Sequence, residues 1–482
     1  MATITVMDPV TRIEGHLKVE VTIDWVNGLN SITDARCTGT LFRGFETLLQ
    51  GRAPTDAPVI TERICGVCPV SHGLAATLAL EKAAGLVQST NARLLRNLVL
   101  GANYLQSHLL HFYLLAALDY VKGPQKAPWT PAWDFELRDD PRLADLVPHL
   151  VASLEARRRA HEMGAIFGGR MPSPHTYVPG GFTLAPTAAA VAAFRAQLTW
   201  LRTFISDTYI PDVEAVGAVY ADYKDIGVGV RKLLSFGVFE ESNDGSAKLL
   251  KAGTKDGAGT RSGSRDTSFN AARITEHVTA SWYDDSTTGL HPATGSTQPV
   301  YPKAQGYSWL KAPRYGGKPF EAGPLARMWV NGDYRSGVGV MHRHLARARE
   351  AAKVAQAMDR WLNELQVGVP PFTGFDTPTS GTGVGLTEAP RGALGHWVAI
   401  SGGKLSRYQV ITPTCWNASP RDDVGVRGPM EQALVGTPVM DPNRPIEALR
   451  VIHSFDPCLS CAVHVMRPGG AHVTVLRTGL AT

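Results

Sequence analysis

Asp456-Pro457-Cys458-Leu459-Ser460-Cys461-Ala462-Val463-His464, near the end of the chain, has a counterpart far upstream in Arg63-Ile64-Cys65-Gly66-Val67-Cys68, followed by His72. Both stretches carry the Cys-x-x-Cys spacing. Two intervening residues let both sulfurs turn toward one point, and four thiolates suit a soft transition metal. A structural zinc site is the common use of two such pairs, and an iron–sulfur cluster is another. Spacing alone puts zinc first. Structural zinc, however, usually props up a small domain with little core. This chain has 482 residues, 44% of them hydrophobic, which is enough for a large core, and its two pairs join opposite ends of the protein. The flanks are also informative. His72 follows Cys68 by four residues and His464 follows Cys461 by three. Arg63 and Asp456 each stand two before the first Cys of their pair. Such groups can orient or hydrogen-bond coordinated sulfur.

The bulk composition narrows the class. Charged residues make up 19% of the chain, and the net charge of +5 is spread without a basic block. That is a globular protein, and nucleic acid is not its expected partner. Residues 1–7 lack the charged start and apolar run of a signal peptide. The longest uncharged apolar candidate, residues 182–194, is too short to span a bilayer and contains Pro186. Six cysteines in so long a chain do not make a disulfide framework. Cys37 and Cys415, outside the two pairs, read as small buried hydrophobes.

Outward from the pairs, the sequence predicts mixed structure. Leu17-Lys18-Val19-Glu20-Val21-Thr22-Ile23 alternates as a half-buried strand, with Asn27-Gly28 as a turn. The Ala/Leu-rich run from His72 to Gly85 predicts a helix, placing the first sulfurs near its N-terminus, where the dipole favours thiolate. Ser89-Thr90-Asn91 offers an N-cap for a long helix through about residue 120, with Leu94, Leu95, Leu98, Leu105, Leu109 and Phe112 as its apolar positions. His108 and His111 on it read as hydrogen-bonded helix residues. Further helix is expected over 147–167, over 186–223 with a break at Pro211, and over 341–366. Residues 240–268, rich in Gly, Ser, Lys and Asp, read as a surface excursion. Residues 370–450 read as loops and short strands. The fold class expected is α+β, a core bundle of long helices flanked by smaller α/β parts.

The two cysteine stretches with their histidines resemble the signature motifs of nickel–iron hydrogenase large subunits. The likeness extends over nearly the whole chain. Arg12-Ile13-Glu14-Gly15-His16 resembles the family's N-terminal motif. Ile274-Thr275-Glu276-His277, Trp309-Leu310-Lys311-Ala312-Pro313-Arg314-Tyr315, Gly323-Pro324-Leu325-Ala326-Arg327 and Glu388-Ala389-Pro390-Arg391-Gly392 resemble its internal landmarks, in family order.

The resemblance implies roles residue by residue. Cys65 and Cys458 would be terminal nickel ligands. Cys68 and Cys461 would bridge nickel to an iron carrying carbonyl and cyanide. His72 would hydrogen-bond a bridging sulfur, and Glu14 would be the first proton carrier. Arg391, with Pro390 beside it, would stand over the open metal position to polarise dihydrogen or act as base, with Asp456 orienting it. Glu46, the backbone of Val410 and His464 would hold a separate magnesium. Val67 and Leu115 would line the gas channel. Many relatives have an Asp where this chain has Ser107, and Ser cannot supply that charge. The implied activity is reversible heterolytic cleavage of dihydrogen, in the uptake direction. A hydrogen sensor with slow turnover is the alternative. An iron–sulfur small subunit would carry the electrons away, since no cysteines are left for a relay, and a membrane cytochrome would be a further acceptor. Residues 1–464 would form one catalytic domain, β-rich over about 1–60. Residues 465–482 would be a maturation peptide removed by an endopeptidase after nickel-insertion proteins have acted. The location implied is membrane-associated on the periplasmic side, by way of the partner's export signal, with the cytoplasm as alternative.

Overall fold

The computed structural model describes residues 2–126, 129 and 136–461, the last without its side chain. Strands β1 (Thr3–Met7), β2 (Leu17–Val26) and β3 (Leu29–Gly39) form an antiparallel sheet in chain order. Along β2 the alternation anticipated from sequence is realised: Leu17, Val19, Val21 and Ile23 are buried and the residues between them are not. Helix α1 (Pro69–Ala84) begins immediately after Cys68, which is its N-cap residue. The expected placement of the first sulfurs at a helix N-terminus is therefore correct.

Helix α2 (Thr90–Leu109) is the axis of the molecule. Ser89 caps it by accepting from the Ala92 N–H, and every residue from Asn91 to Leu109 is buried. Helix α3 (Leu146–Gly168) packs along it, as does α6 (Val340–Glu364), while α4 (Ala188–Phe204) packs on α3 and α6, and α5 (Ile210–Val219) on α6. A helix buried all round needs partners for its polar side chains. Arg96 finds them in both carboxylate oxygens of Glu81, at 2.7 and 3.0 Å. Breaking such a buried pair by removing one member costs about 3–5 kcal/mol. His108 Nε2 lies 2.9 Å from Glu350 Oε2, and His111 Nε2 lies 2.6 Å from the His453 carbonyl, so both are hydrogen-bonded helix residues as expected.

The stretch 240–268 lies largely at the surface, as its composition suggests, but it is ordered as a sheet edge. It supplies β5 (Lys248–Asp256), which pairs antiparallel with β4 (Leu233–Glu240), and a short outer strand, Ser264–Asp266. Its lysines misled: Lys255 is fully buried, its Nζ donating to the Arg231 and Gly259 carbonyls. A long Lys stem can lie along apolar surface while its amine finds oxygen.

The last sheet joins β6 (Ser380–Ala389), β7 (Gly392–Ser401) and β8 (Lys404–Ile411), all antiparallel. Its β6 strand carries Gly381, Gly383 and Gly385 at every second position. Facing them are Ala75, Ala79 and Ala83 of α1, spaced by four. A Cβ on Gly383 would come within 1.9 Å of the Ala79 carbonyl oxygen, and one on Gly385 equally close to that of Ala75. The period of two on the strand meets the period of a helix turn, and α1 lies directly on the sheet. Helix α7 (Ile446–Ser454) ends just ahead of the second cysteine stretch. Cys37 and Cys415 are buried free thiols, as expected.

Candidate metal centre

The two ends of the chain meet. Cys65 Sγ lies 2.9 Å from Cys68 Sγ and 3.3 Å from Cys458 Sγ. The three sulfurs, all buried, fall within 4.8 Å of one another and are the one cluster of potential metal ligands among the described residues. The Cys461 side chain and His464 lie outside the described residues. Such a cluster of soft donors fits a thiophilic metal.

Local structure holds the thiols in place. The Val67 and Cys68 N–H groups donate to Cys65 Sγ at 3.3 and 3.2 Å. The Val67 carbonyl accepts from Asn103 Nδ2 (2.9 Å) and Gln106 Nε2 (3.0 Å), both on the buried axis helix α2. Across the cluster, the Cys458 N–H donates to Thr414 Oγ1 at 2.9 Å. Glu14 forms a parallel β-bridge with Cys458, and its carbonyl accepts from the Leu459 N–H at 2.6 Å. The Glu14 side chain turns over the first loop: a Cβ on Gly66 would lie 3.5 Å from Glu14 Oε1.

Arg391 occupies a two-residue hairpin turn, for Ala389 of β6 pairs with Gly392 of β7 and only Pro390 and Arg391 intervene. Arg327 pins that turn by donating to the Ala389 (3.0 Å) and Pro390 (2.7 Å) carbonyls. The Arg391 Nε donates to the Asp456 carbonyl at 3.1 Å, and its NH2 group lies 3.0 Å from Asp456 Oδ1. Its NH1 group reaches Ser107 Oγ at 3.5 Å, so Ser107 does face the arginine. Burial opposes the charge of Arg391, but Asp456 and the thiols of Cys458, Cys68 and Cys65 raise its pKa well above the usual value. The guanidinium stays protonated. Asp456 itself has φ of 55°, a left-handed conformation that Asp tolerates better than most residues.

His72, four residues after Cys68, is fully buried, and burial depresses its pKa to about 4. Its Nδ1 meets His396 Nε2 at 3.2 Å, while its Nε2 has no hydrogen-bond partner. An orphaned buried ring nitrogen on a residue that interacts electrostatically with Cys65 fits a site where a bound metal group would supply the missing acceptor.

Other sequence-predicted residues sort unevenly. Glu46 Oε1 accepts from the Val410 N–H at 2.9 Å, which brings together two of the three residues expected at magnesium. Val67 packs against the cysteine cluster; Leu115 is not among the side chains packed there, and its carbonyl accepts from Arg12 NH1 at 2.7 Å. Arg63 disappoints: its side chain is 47% exposed and its nearest carboxylate, on Glu62, is 3.8 Å away. Arg63 sits in a short 3-10 turn, Glu62–Ile64, that leaves its side chain toward solvent. Sequence reasoning gave no role to Thr414, His396, Tyr408 or Asp119. Asp119 binds His453 Nδ1 (2.6 Å) and Arg12 NH2 (2.5 Å), and His453 Nε2 reaches the Thr11 carbonyl (2.9 Å). This clamp fastens the segment leading to Glu14 onto the end of α7. No spacing rule marks contacts between residues so far apart in sequence.

Comparisons with known proteins agree with this geometry. A nickel-dependent hydrogenase family model matches residues 43–127, 123–338 and 333–464, and a HoxL-like model matches residues 3–37. The periplasmic [NiFeSe] hydrogenase large subunit of Desulfomicrobium baculatum is 42% identical, over 97% of this chain and 96% of its own length. The uptake hydrogenase large subunit of Bradyrhizobium diazoefficiens is 34% identical, over 98% and 97%. The solved Ni-Fe-Se hydrogenase from Desulfovibrio vulgaris Hildenborough, in its reduced state, superimposes with a TM-score of 0.91 at 41% identity, covering 96% of this chain and all of that one. Among the described residues no helix is long and apolar enough to cross a membrane. With its three described thiols gathered from both ends of the sequence and its whole length matched, the chain belongs to the nickel-dependent hydrogenase family, as a catalytic large subunit.

Proposed function

We propose that this subunit cleaves dihydrogen heterolytically in the uptake direction. Cys65, Cys68, Cys458 and Cys461 would hold nickel, with Cys68 and Cys461 shared with an iron that carries carbonyl and cyanide. The convergence of Cys65, Cys68 and Cys458 carries this reading. The bound metals would supply the electrophilic, redox-active centre at which dihydrogen is taken apart.

The remaining roles fall to the chain itself. Glu14 is half-buried against the Cys65–Cys68 loop, where it takes a proton from a protonated cysteine sulfur and passes it outward. Arg391, kept cationic by Asp456 and the thiols, polarises dihydrogen; a guanidinium held protonated is a poor base. Pro390 shapes the turn that presents it. His72 donates from Nε2 to a bridging sulfur. Val67 narrows the approach for gas, with Leu115 further along the channel. Glu46 and the Val410 backbone, with His464, form the magnesium site, for which oxygen donors are suited.

An iron–sulfur small subunit receives the electrons and passes them to a membrane cytochrome on the periplasmic side of the membrane. Residues 1–464 act as one domain. Residues 465–482, outside the described residues, are cut away by the maturation endopeptidase once nickel-insertion proteins have finished. Metal analysis with infrared spectroscopy tests the whole reading. Nickel and iron together, with carbonyl and cyanide bands, are expected; zinc alone with no such bands overturns it. Cys461→Ser should abolish the bimetallic centre, and a full nickel and iron complement in that variant would refute its bridging role.

A further inference from the structure

His72 is the inner end of a buried hydrogen-bond chain. Its Nδ1 lies 3.2 Å from His396 Nε2, and His396 Nδ1 lies 2.8 Å from the Tyr408 hydroxyl. All three side chains are fully buried. They come from three elements: α1, β7 and β8. On the sheet, Tyr408 stands opposite Val398, so His396 is its diagonal neighbour on the same face. The contact of α1 with the glycine row of β6 fixes how near His72 comes to that face.

We propose that Tyr408 and His396 are positioning residues that lock His72 in the tautomer with its proton on Nε2, where it serves the cysteine site as a hydrogen-bond donor. This inference rests on the reading that the cysteines hold nickel and iron. The argument is one of donors and acceptors. The Tyr408 hydroxyl has His396 as its one hydrogen-bond partner among the described residues. If it accepted from His396, its own proton would be buried with no acceptor. It therefore donates, and His396 Nδ1 accepts. A neutral His396 then carries its proton on Nε2 and donates to His72 Nδ1. A neutral His72 is left with its proton on Nε2, the nitrogen that has no partner in the chain. The opposite order strands the tyrosine proton and leaves His72 Nε2 a lone pair with no proton to give. His72 lies one helical turn from Cys68 and so shares its face of α1.

Tyr408→Phe tests this, since it keeps the ring and removes the donor. With the lock gone, the His396 proton is free to sit on either nitrogen, and His72 becomes a mixture of tautomers. Nitrogen-15 NMR of histidine-labelled enzyme should show the His72 ring nitrogens moving from one donor and one lone pair toward averaged values. The carbonyl and cyanide infrared bands should shift and broaden while nickel and iron content stays at the wild-type level. A wild-type His72 tautomer in Tyr408→Phe overturns the lock, and this readout does not need the metals. Absence of carbonyl and cyanide bands from the wild-type enzyme would instead overturn the nickel–iron reading and leave the tautomer result standing.

Discussion

Glu14 and Cys458 run side by side as a two-residue parallel bridge, closed by the Leu459 N–H on the Glu14 carbonyl at 2.6 Å. A proposed proton carrier and a proposed metal ligand, 444 positions apart in sequence, are thus held by backbone alone. The bridge depends on the next residue. Gly15 has φ of 83°, and a Cβ there would lie 2.2 Å from the Ser460 nitrogen.

Gly15→Ala should therefore loosen the second cysteine stretch. The left-handed backbone costs an Ala about 1–2 kcal/mol before any clash is counted, and the clashing atom is backbone that cannot swing aside. Nickel content should fall well below wild type while the circular dichroism spectrum keeps its helical signal. Full nickel loading would show that the bridge is dispensable.

Glu14→Gln keeps the shape and the backbone bridge but cannot carry a proton. Metals should load normally, and hydrogen–deuterium exchange should slow by about 10²-fold or more, the usual worth of a positioned acid–base group. Exchange at the wild-type rate would remove Glu14 from the proton path.

Glu431 gives a pH signature away from the metals. Its Oε1 accepts from the Cys37 N–H and the Tyr307 hydroxyl, both at 2.9 Å, while its buried Oε2 has no partner. Burial pushes its pKa from 4.5 to about 7. The unfolded chain then binds fewer protons than the folded one between these values, so stability is greatest below the lower value and is lost as pH rises through the upper one. The loss amounts to about 3 kcal/mol at most. Glu431→Gln should flatten the melting temperature between pH 4.5 and 7. An unchanged slope would mean another group titrates.

Selenium provides a compositional check. The matched proteins from Desulfomicrobium baculatum and Desulfovibrio vulgaris carry it in their names, whereas all four positions of the two Cys-x-x-Cys motifs here are cysteine. Mass spectrometry of the purified enzyme should find nickel and iron without stoichiometric selenium. One selenium per subunit would contradict ligation by four cysteines.

Much of this was legible from residues with a strong local signature. Alternation gave β2, the Ser89 cap gave α2, and the paired cysteines gave the site, because each rests on interactions within a few positions. The strand at 248–256 was not, since composition cannot tell a solvated lysine from one whose amine reaches buried carbonyls. Nor were Thr414, His396, Tyr408 and the Asp119–His453 clamp. Their partners lie on other elements, and hydrogen-bond partnership across a fold leaves no periodicity to read. Arg63 marks the converse error, a suggestive position whose side chain turns outward.

The union of the two chain ends also dictates timing. A ribosome making this chain releases Cys65 393 residues ahead of Cys458. The nascent polypeptide can assemble its helices and sheets on the way out, but the pocket holds two of its three described thiols until residue 458 has been made. A chain broken just before residue 458 would keep every helix named above and still lack the third thiol of the cluster.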